Sequence, residues 1–316
     1  MKKYLIALIA CFVPLAAMAG SGELMGSLAT TFVSQNIIND VFTAARTGKI
    51  DILYSIHQDS PKSLSYAVNA KDKNGQTPLM IACQKGHVLV AMYLVDQGAD
   101  VDTPDEKGRP ALYYAFTTPQ QKARKELVVW LVSTKHAKPV TIDKDKAWFV
   151  DEAIKNGLSG VATTLLPATL KNMNNAEKSN LLFHLIWRAK DKENSKELSS
   201  LCSMMTTVMQ RGGDINAGSI QEFWGVVENT GNTPLFRYLA ARPQVSVKTA
   251  AIAFEDMLKA DNPTYADIVV EEFLKSHNAQ KQWNDCYSLL AKTAALAEDY
   301  GYKNLSDKLY EKKKNF

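Results

Sequence analysis

Apolar residues between positions 76 and 98 recur every three to four positions, in two short runs separated by Gly86. This spacing is that of amphipathic helices, and a glycine permits the tight turn between two of them. The residues of the two stripes are Leu79, Ala82 and Cys83 in the first run and Val88, Ala91, Leu94 and Val95 in the second. The pattern predicts a pair of short antiparallel helices with a shared buried face.

Local capping signals place the ends of this helix pair. Thr77 is a suitable N-cap because its hydroxyl can accept from unpaired backbone amides, and Pro78 at the first helical position gives up no needed hydrogen bond. Gly98 suits a left-handed residue that ends the second helix. The segment that follows, ADVDTPDEKG, is polar and rich in turn-forming residues, which predicts a projecting turn.

The pattern repeats along the chain. The sequence DKNG at 72–75 returns as DEKG at 105–108, 33 positions later. Two apolar positions recur at the same spacing, Leu79 as Leu112 and Ala82 as Ala115. A fixed period of this length indicates stacked repeats, each too small to bury its apolar faces alone.

The 33-residue unit contains G-x-T-P-L, then A-x-x-x-G-H, then L-V-x-x-G-A-D-V, all within residues 72–104. It resembles the ankyrin repeat. The resemblance implies an all-α fold, an ankyrin-type α-solenoid of stacked antiparallel helix pairs with short hairpin fingers. It also implies a structural hydrogen bond for His87, which follows the glycine between the helices.

The neighbouring units depart from this pattern. Upstream, Ala44 and Gly48 repeat the A-x-x-x-G turn, but a long connection at 57–75 predicts an extended first finger. In the unit that begins at Asp105, Pro110 replaces the capping threonine, so its first helix should start differently. The dipeptide Thr118-Pro119 can cap a longer second helix.

Beyond residue 140 the period fades, but paired helical segments continue. Residues 211–216 match 97–102, and G-N-T-P-L returns at 231–235. Nine extra residues lengthen the finger between these two matches, and Trp224 is among them. Further amphipathic segments are predicted at 246–260, 263–276, 280–299 and 303–314.

The N-terminus has the features of a secretory signal: Lys2 and Lys3, an apolar run, and Ala17-Met18-Ala19 as the cleavage pattern. A lipoprotein signal that ends at Cys11 is the alternative. We expect export to the periplasm or secretion after cleavage near Ala19. The predicted organisation is a signal peptide at 1–19, an N-terminal segment and helix at 20–37, ankyrin repeats at 38–140, and divergent ankyrin-like repeats with a C-terminal cap at 141–316.

Charge and cysteine content narrow the expected partners. Removal of Lys2 and Lys3 from the 37 basic residues leaves 35 against 33 acidic ones, a net charge of about +2. This balance gives no reason to expect a nucleic acid partner, and no later segment predicts a transmembrane helix. The three cysteines after the signal, Cys83, Cys202 and Cys286, are an odd number, and we expect no disulfide between them. Cys83 should be a small buried apolar residue.

The sequence has no recognisable catalytic pattern. The five histidines are scattered without H-E-x-x-H spacing, no C-x-x-C is present, and no phosphate-binding glycine loop occurs. We therefore expect a protein that is not an enzyme and needs no cofactor or metal.

The resemblance implies binding through the finger tips and the exposed side of the first helices. The candidate partner-binding residues are Lys73, Asn74, Gln76, Met80, Gln84, Lys85, Glu106, Lys107, Arg109, Tyr113 and Trp224. Arg109, Tyr113 and Trp224 rank first because arginine and aromatic residues are frequent interface anchors. We expect a monomeric scaffold for a protein partner, such as a toxin that it inhibits as an immunity protein. The alternatives are an accessory factor for an exported enzyme or envelope complex, and a secreted effector that binds host protein.

Overall fold

The computed structural model describes residues 22–142, 144–192, 196–217, 224, 227, 229–278 and 282–315, with side chains from Gln35 onward. These residues form sixteen helices and no β-strand, which confirms the predicted all-helical class. The chain divides into two compact units after Ile142. No described helix combines the length and apolar character needed to cross a membrane.

Seven helices make up the described part of the N-terminal unit. They are α1 (Gly22–Thr47), α2 (Ile50–Asp59), α3 (Pro61–Ala67), α4 (Pro78–Lys85), α5 (Val88–Asp96), α6 (Ala111–Thr117) and α7 (Gln121–Ser133). Gly48 joins α1 to α2 and Gly86 joins α4 to α5, both with positive φ, at 76° and 74°. The helix pair predicted between residues 76 and 98 is confirmed.

The apolar faces of this pair are buried largely as the spacing predicts. Leu79, Ala82 and Cys83 are inaccessible to solvent because α4 packs against α1, α5 and α6. The buried stripe of α5 is Val90, Ala91 and Leu94, whereas Val88 and Val95 are only half-buried. Full burial of a leucine-sized side chain stabilises the folded state by about 1.5–3 kcal/mol.

The helix starts follow the capping signals in two cases out of three. Thr77 accepts from the backbone amide of Met80 at 3.3 Å, as predicted for an N-cap. Pro110 precedes α6 without a side-chain cap, so this helix does start differently. The predicted cap at Thr118 is wrong, because α7 begins at Gln121 after Gln120. The hydroxyl of Thr118 is buried instead, without a hydrogen-bond partner among the described residues.

The long connection before the second repeat is not simply an extended finger. Seven of its residues form α3, which begins at Pro61 and packs against α1 and α2. Leu64 and Ala67 are the buried residues of this helix. The prediction missed α3 because only two of its positions bury apolar side chains, too few for a clear helical period.

The two turns related by 33 residues have the same structure. In the first, Asp72 Oδ1 accepts from the backbone amides of Asn74 and Gln76 at 2.8 and 2.9 Å. In the second, Asp105 Oδ1 accepts from the amides of Lys107 and Arg109, both at 2.8 Å. Such aspartate turns compensate the backbone donors that a tight turn leaves unpaired. We call the residues 72–76 and 105–109 the paired turns.

Nine helices make up the described part of the C-terminal unit. They are α8 (Trp148–Lys155), α9 (Ser159–Lys171), α10 (Asn175–Ala189), α11 (Lys196–Gln210), α12 (Thr233–Ala240), α13 (Val247–Lys259), α14 (Pro263–Asn278), α15 (Trp283–Asp299) and α16 (Lys303–Lys314). Each helical segment predicted after residue 140 has a counterpart among these helices, although residues 280 and 281 of the segment predicted at 280–299 lie outside the described residues.

Two motif matches in this unit have structural counterparts. The amide of Asn216 donates to Asp214 Oδ1 at 2.8 Å, as the amide of Asp102 donates to Asp100 Oδ1 at 2.9 Å. At the returning G-N-T-P-L motif the cap is Asn232, not Thr233. Because the N-cap moves by one residue, this helix starts in a different register from α4.

Candidate partner-binding site

An open cleft of about 480 Å³ lies in the N-terminal unit, between the end of α4, the first turns of α6 and the α6–α7 connection. Five of the predicted binding residues line it: Gln76, Gln84, Lys85, Arg109 and Tyr113. Tyr114, Thr117, Pro119 and Gln120 complete the lining. A cleft of this size can hold a side chain or a short loop of another molecule.

Four other predicted residues, Lys73, Asn74, Glu106 and Lys107, are exposed on the paired turns. The amide of Glu106 donates to the carbonyl oxygen of Asn74 at 3.3 Å, so the two turns are joined directly. The turns therefore present these four residues, three of them with charged side chains, from one connected surface.

Arg109 is held by a buried carboxylate. Its Nε and Nη2 donate to Asp105 Oδ2 at 2.9 and 2.8 Å, and the hydroxyl of Tyr114 donates to the same oxygen at 2.6 Å. The Asp105 side chain is 1% exposed, whereas that of Arg109 is 24% exposed. The carboxylate thus lies inside the unit, and the guanidinium reaches the cleft in a fixed orientation.

The pKa values of this cluster reflect its hydrogen bonds. Burial alone would raise the pKa of Asp105, but the hydrogen bonds from Tyr114 and Arg109 hold it below its ordinary value. Burial, together with the hydrogen bond to Asp105, raises the pKa of Tyr114 to about 12. The cluster therefore stays in one ionisation state, Asp105 negative and Tyr114 neutral, across the physiological pH range.

Gln120 closes the opposite side of the cleft. Its Nε2 donates to the carbonyl oxygen of Lys85 at 3.2 Å, 35 residues earlier. A Cβ added at Gly86 would come within 2.8 Å of Gln120 Oε1, so the glycine permits this close approach. No local sequence pattern marks Gln120, because its role depends on packing between two repeats.

Two of the predicted binding residues are corrected by the structure. Met80 is inaccessible because α4 is enclosed by its neighbours, and its Sδ accepts from the amide of Thr77 at 3.4 Å. Trp224 is 1% exposed, and its ring packs edge-on against Phe236 of α12, 5.2 Å between centroids. Neither side chain is accessible to a partner.

The cysteines and the metal-binding residue types occupy structural positions. Cys83 and Cys286 are buried, Cys202 is half-buried, and all three are free thiols. Burial raises the pKa of Cys83 to about 12 and that of Cys202 to about 11. Among the described residues, no group of three or more His, Cys, Asp or Glu side chains is placed to hold a metal ion.

Residues 41–145 match the family model of ankyrin repeats, in three copies. Among curated proteins, α-latrotoxin-Lt1a of Latrodectus tredecimguttatus is 49% identical over 41 residues, which are 13% of this chain and 3% of the toxin. Ankyrin repeat-containing protein P1E11.10 of Schizosaccharomyces pombe is 34% identical over 74 residues, 23% of this chain and 33% of the relative. The matches thus span a third or less of these curated relatives.

One chain of a solved complex from Bdellovibrio bacteriovorus, the predatory endopeptidase Bd0816 with immunity protein Bd3460, aligns with a TM-score of 0.40 and 17% identity. The alignment covers 63% of this chain and 96% of that chain. This score is too low to establish a shared fold over the aligned length.

The ankyrin family is generally a non-enzymatic protein-interaction module. The three matched copies contain the G-x-T-P-L motif, both paired turns and every residue that lines the cleft. Residues 41–145 of the chain therefore form three recognised ankyrin repeats.

Proposed function

We propose that the protein is a non-enzymatic scaffold that binds a protein partner through the cleft and the paired turns of its ankyrin repeats. The observation that carries this proposal is the position of the cleft within the three recognised repeats. Nine of the eleven residues proposed from the sequence lie on the cleft or on the exposed turns beside it.

The chemistry of this surface suits protein recognition. Arginine and tyrosine are frequent energetic anchors of interfaces, and here Arg109 lies 5.2 Å from the ring of Tyr113. Asp105 and Tyr114 fix the arginine before any partner arrives. Because Arg109 is already held in place, binding of a partner would cost less side-chain entropy than it would with a mobile arginine.

We also propose that the protein is exported. Support comes from the signal-like residues 1–19, which lie outside the described residues. Cell fractionation with an antibody to the C-terminal unit tests this directly. A periplasmic or secreted species shortened by about 19 residues is expected; an uncleaved cytoplasmic species would contradict export.

The concrete form of the proposal is an immunity or inhibitor protein that occludes a toxic enzyme in the periplasm. A scaffold without catalytic chemistry can inhibit by covering an active site. The same surface equally suits an accessory factor for an exported enzyme or envelope complex, or an effector that binds host protein. Deletion of the gene tests the immunity role, because loss of an immunity protein should arrest growth only while the toxin is produced.

Affinity purification from periplasmic extract tests the scaffold itself. The wild-type protein should retain a partner, and the Lys85→Glu variant should lose it, because this exposed residue lines the cleft. The matched control is Lys62→Glu, the same charge reversal at an exposed position of α3 that does not line the cleft. Equal retention by both variants would exclude the cleft as the binding surface.

A further inference from the structure

We infer that the cleft receives an acidic side chain, aspartate or glutamate, from a projecting segment of the protein partner. This inference rests on the proposed function and adds to it the chemical class of the bound group. Three observations carry it: the charges on the lining, the fixed position of the arginine, and the polar groups that surround both cations.

The lining carries two cations, Lys85 and Arg109, and none of its nine residues is a carboxylate. Lys85 is exposed and forms no ion pair with any described carboxylate. Asp105, the carboxylate paired with Arg109, is 1% exposed. Asp105 accepts from Arg109 and Tyr114 and is not among the residues that line the cleft, so the lining presents two cations and no carboxylate.

Lys85 determines the preference of the cleft for an acidic group. Asp105 offsets the charge of Arg109 in an ion pair in which two guanidinium nitrogens donate to one carboxylate oxygen, whereas no described carboxylate forms an ion pair with Lys85. An acidic group in the cleft would supply the missing partner at Lys85 and lie in the field of the arginine. A basic group would be repelled by Lys85 and would find no carboxylate on the lining.

The remaining polar groups suit a carboxylate on a peptide. Gln84 carries an amide donor at the end of α4. Gln76 is hydrogen-bonded to Tyr114, and Tyr113 is hydrogen-bonded to Arg109, so both help to hold the lining in place. Gln120 donates a hydrogen bond to the carbonyl oxygen of Lys85 and so holds this side of the cleft in place. A cleft of about 480 Å³ has room for one such side chain together with its own backbone.

A pair of small probes tests the inference without knowledge of the partner. N-acetylglutamate N-methylamide and N-acetylglutamine N-methylamide differ by the carboxylate alone. Each is titrated to millimolar concentration into isotope-labelled full-length protein while the backbone amide resonances are followed by NMR. The glutamate probe should shift the amides of Gln84, Lys85 and Gln120, and the glutamine probe should shift them less.

Variants then assign the effect to the cleft. Lys85→Gln should weaken glutamate binding about two- to fivefold, the range for a solvent-accessible ion pair. Lys62→Gln makes the same charge change on α3 and should leave binding unchanged. Equal binding of the two probes, shifts confined to residues outside the cleft, or no response at the highest concentration would each overturn the inference.

The probe titration and the affinity purification can succeed or fail independently of each other. A partner captured by the wild-type protein and lost with Lys85→Glu would support the scaffold even if the probes bind equally. In that case the bound group is not acidic and the scaffold stands. Conversely, selective binding of the glutamate probe would support this inference even if no partner were captured.

Discussion

His87 donates a hydrogen bond of 3.2 Å from its Nε2 to the carbonyl oxygen of Arg46, 41 residues earlier. Its ring lies against Gly48, where an added Cβ would come within 2.7 Å of Nδ1. Arg46 is in the last turn of α1 and His87 is the N-cap of α5, so this hydrogen bond connects the end of α1 to the start of α5. The structural hydrogen bond implied by the ankyrin resemblance is confirmed.

This contact makes Gly48 a sensitive position. Substitution Gly48→Ala should destabilise the protein for two reasons: φ is +76°, and the new methyl group would collide with His87. The backbone contribution is about 1–2 kcal/mol, and the collision should add to it. Urea unfolding of the variant and the wild type measures the sum.

Gly108 supplies the matched control, because its φ is also +76° but an added Cβ would meet no atom within 4 Å. Gly108→Ala should therefore show the backbone contribution alone. If Gly48→Ala and Gly108→Ala lower the free energy of unfolding by the same amount, the contact with His87 does not add to the cost of the substitution at Gly48. In a His87→Ala background the excess cost at Gly48 should disappear.

The lowered pKa of Asp105 predicts a loss of stability in acid. Its pKa is held low in the folded state, so the folded protein binds fewer protons at this site than the unfolded chain does. Its contribution is complete above its ordinary pKa of 3.8 and is lost as the pH falls through the lower folded value. Asp105→Asn should remove this part of the acid dependence.

At neutral pH the same substitution should destabilise the N-terminal unit by about 2–4 kcal/mol, somewhat less than for a fully buried pair, because Arg109 retains access to water. Asp72→Asn is the matched control, since Asp72 forms the equivalent turn without an arginine partner. Thermal unfolding at pH 7 and at acidic pH distinguishes the two variants. A similar loss in both would show that the turn, and not the ion pair, provides the stability.

Asp151 in the C-terminal unit predicts the opposite dependence on pH. Burial raises its pKa, and the raised value persists although His184 Nδ1 lies 3.6 Å from its Oδ2. The folded protein therefore binds more protons at this site than the unfolded chain, and stability should fall as the pH rises above 3.8 through the raised value. Asp151→Asn should remove this decline, as unfolding curves over that pH interval can show. A steeper decline in the variant would contradict the assignment.

The two G-x-T-P-L motifs, at 75–79 and 231–235, should respond differently to alanine substitution. Thr77 is the true cap of α4, so Thr77→Ala should cost about 1 kcal/mol. At the second motif the cap is Asn232, which accepts from the amide of Leu235 and donates to the carbonyl oxygens of Ala189 and Lys190. Asn232→Ala should cost about 2–4 kcal/mol, because several buried groups lose their partners.

Thr233→Ala tests the shift in register. Its hydroxyl contacts Tyr265 Oη at 2.8 Å but does not cap the helix, so its loss should cost less than that of Asn232. Denaturant unfolding of the three alanine variants gives the order. A larger loss at Thr233 than at Asn232 would place the cap one residue later than the structure has it.

The cysteines should report on global unfolding. Burial raises the pKa of Cys83 to about 12 and that of Cys202 to about 11, so few thiolates exist at pH 8 in the folded protein. A thiol-specific reagent should label both slowly in native buffer and rapidly in urea. Fast labelling of Cys83 in native buffer would contradict its buried position. Fewer than three reactive thiols among Cys83, Cys202 and Cys286 in non-reducing urea would reveal a disulfide.

The helix pairs could be predicted from the amino-acid sequence because their signals are local. The apolar spacing of Leu79, Ala82 and Cys83, the cap at Thr77 and the turn at Gly86 act within a few residues of one another. The recurrence of the aspartate turns after 33 residues then identified the repeat. Local signals also limited the prediction, since α3 buries too few apolar residues to produce a period.

Which of the candidate side chains are exposed depended on tertiary packing. Met80 and Trp224 occupy positions that the repeat pattern left open, and packing against neighbouring helices buried both. Gln120 joined the cleft through the carbonyl oxygen of Lys85, 35 residues away. Exposure depends on contacts between elements distant in sequence, which local spacing does not encode, whereas helix formation depends on neighbours a few residues apart.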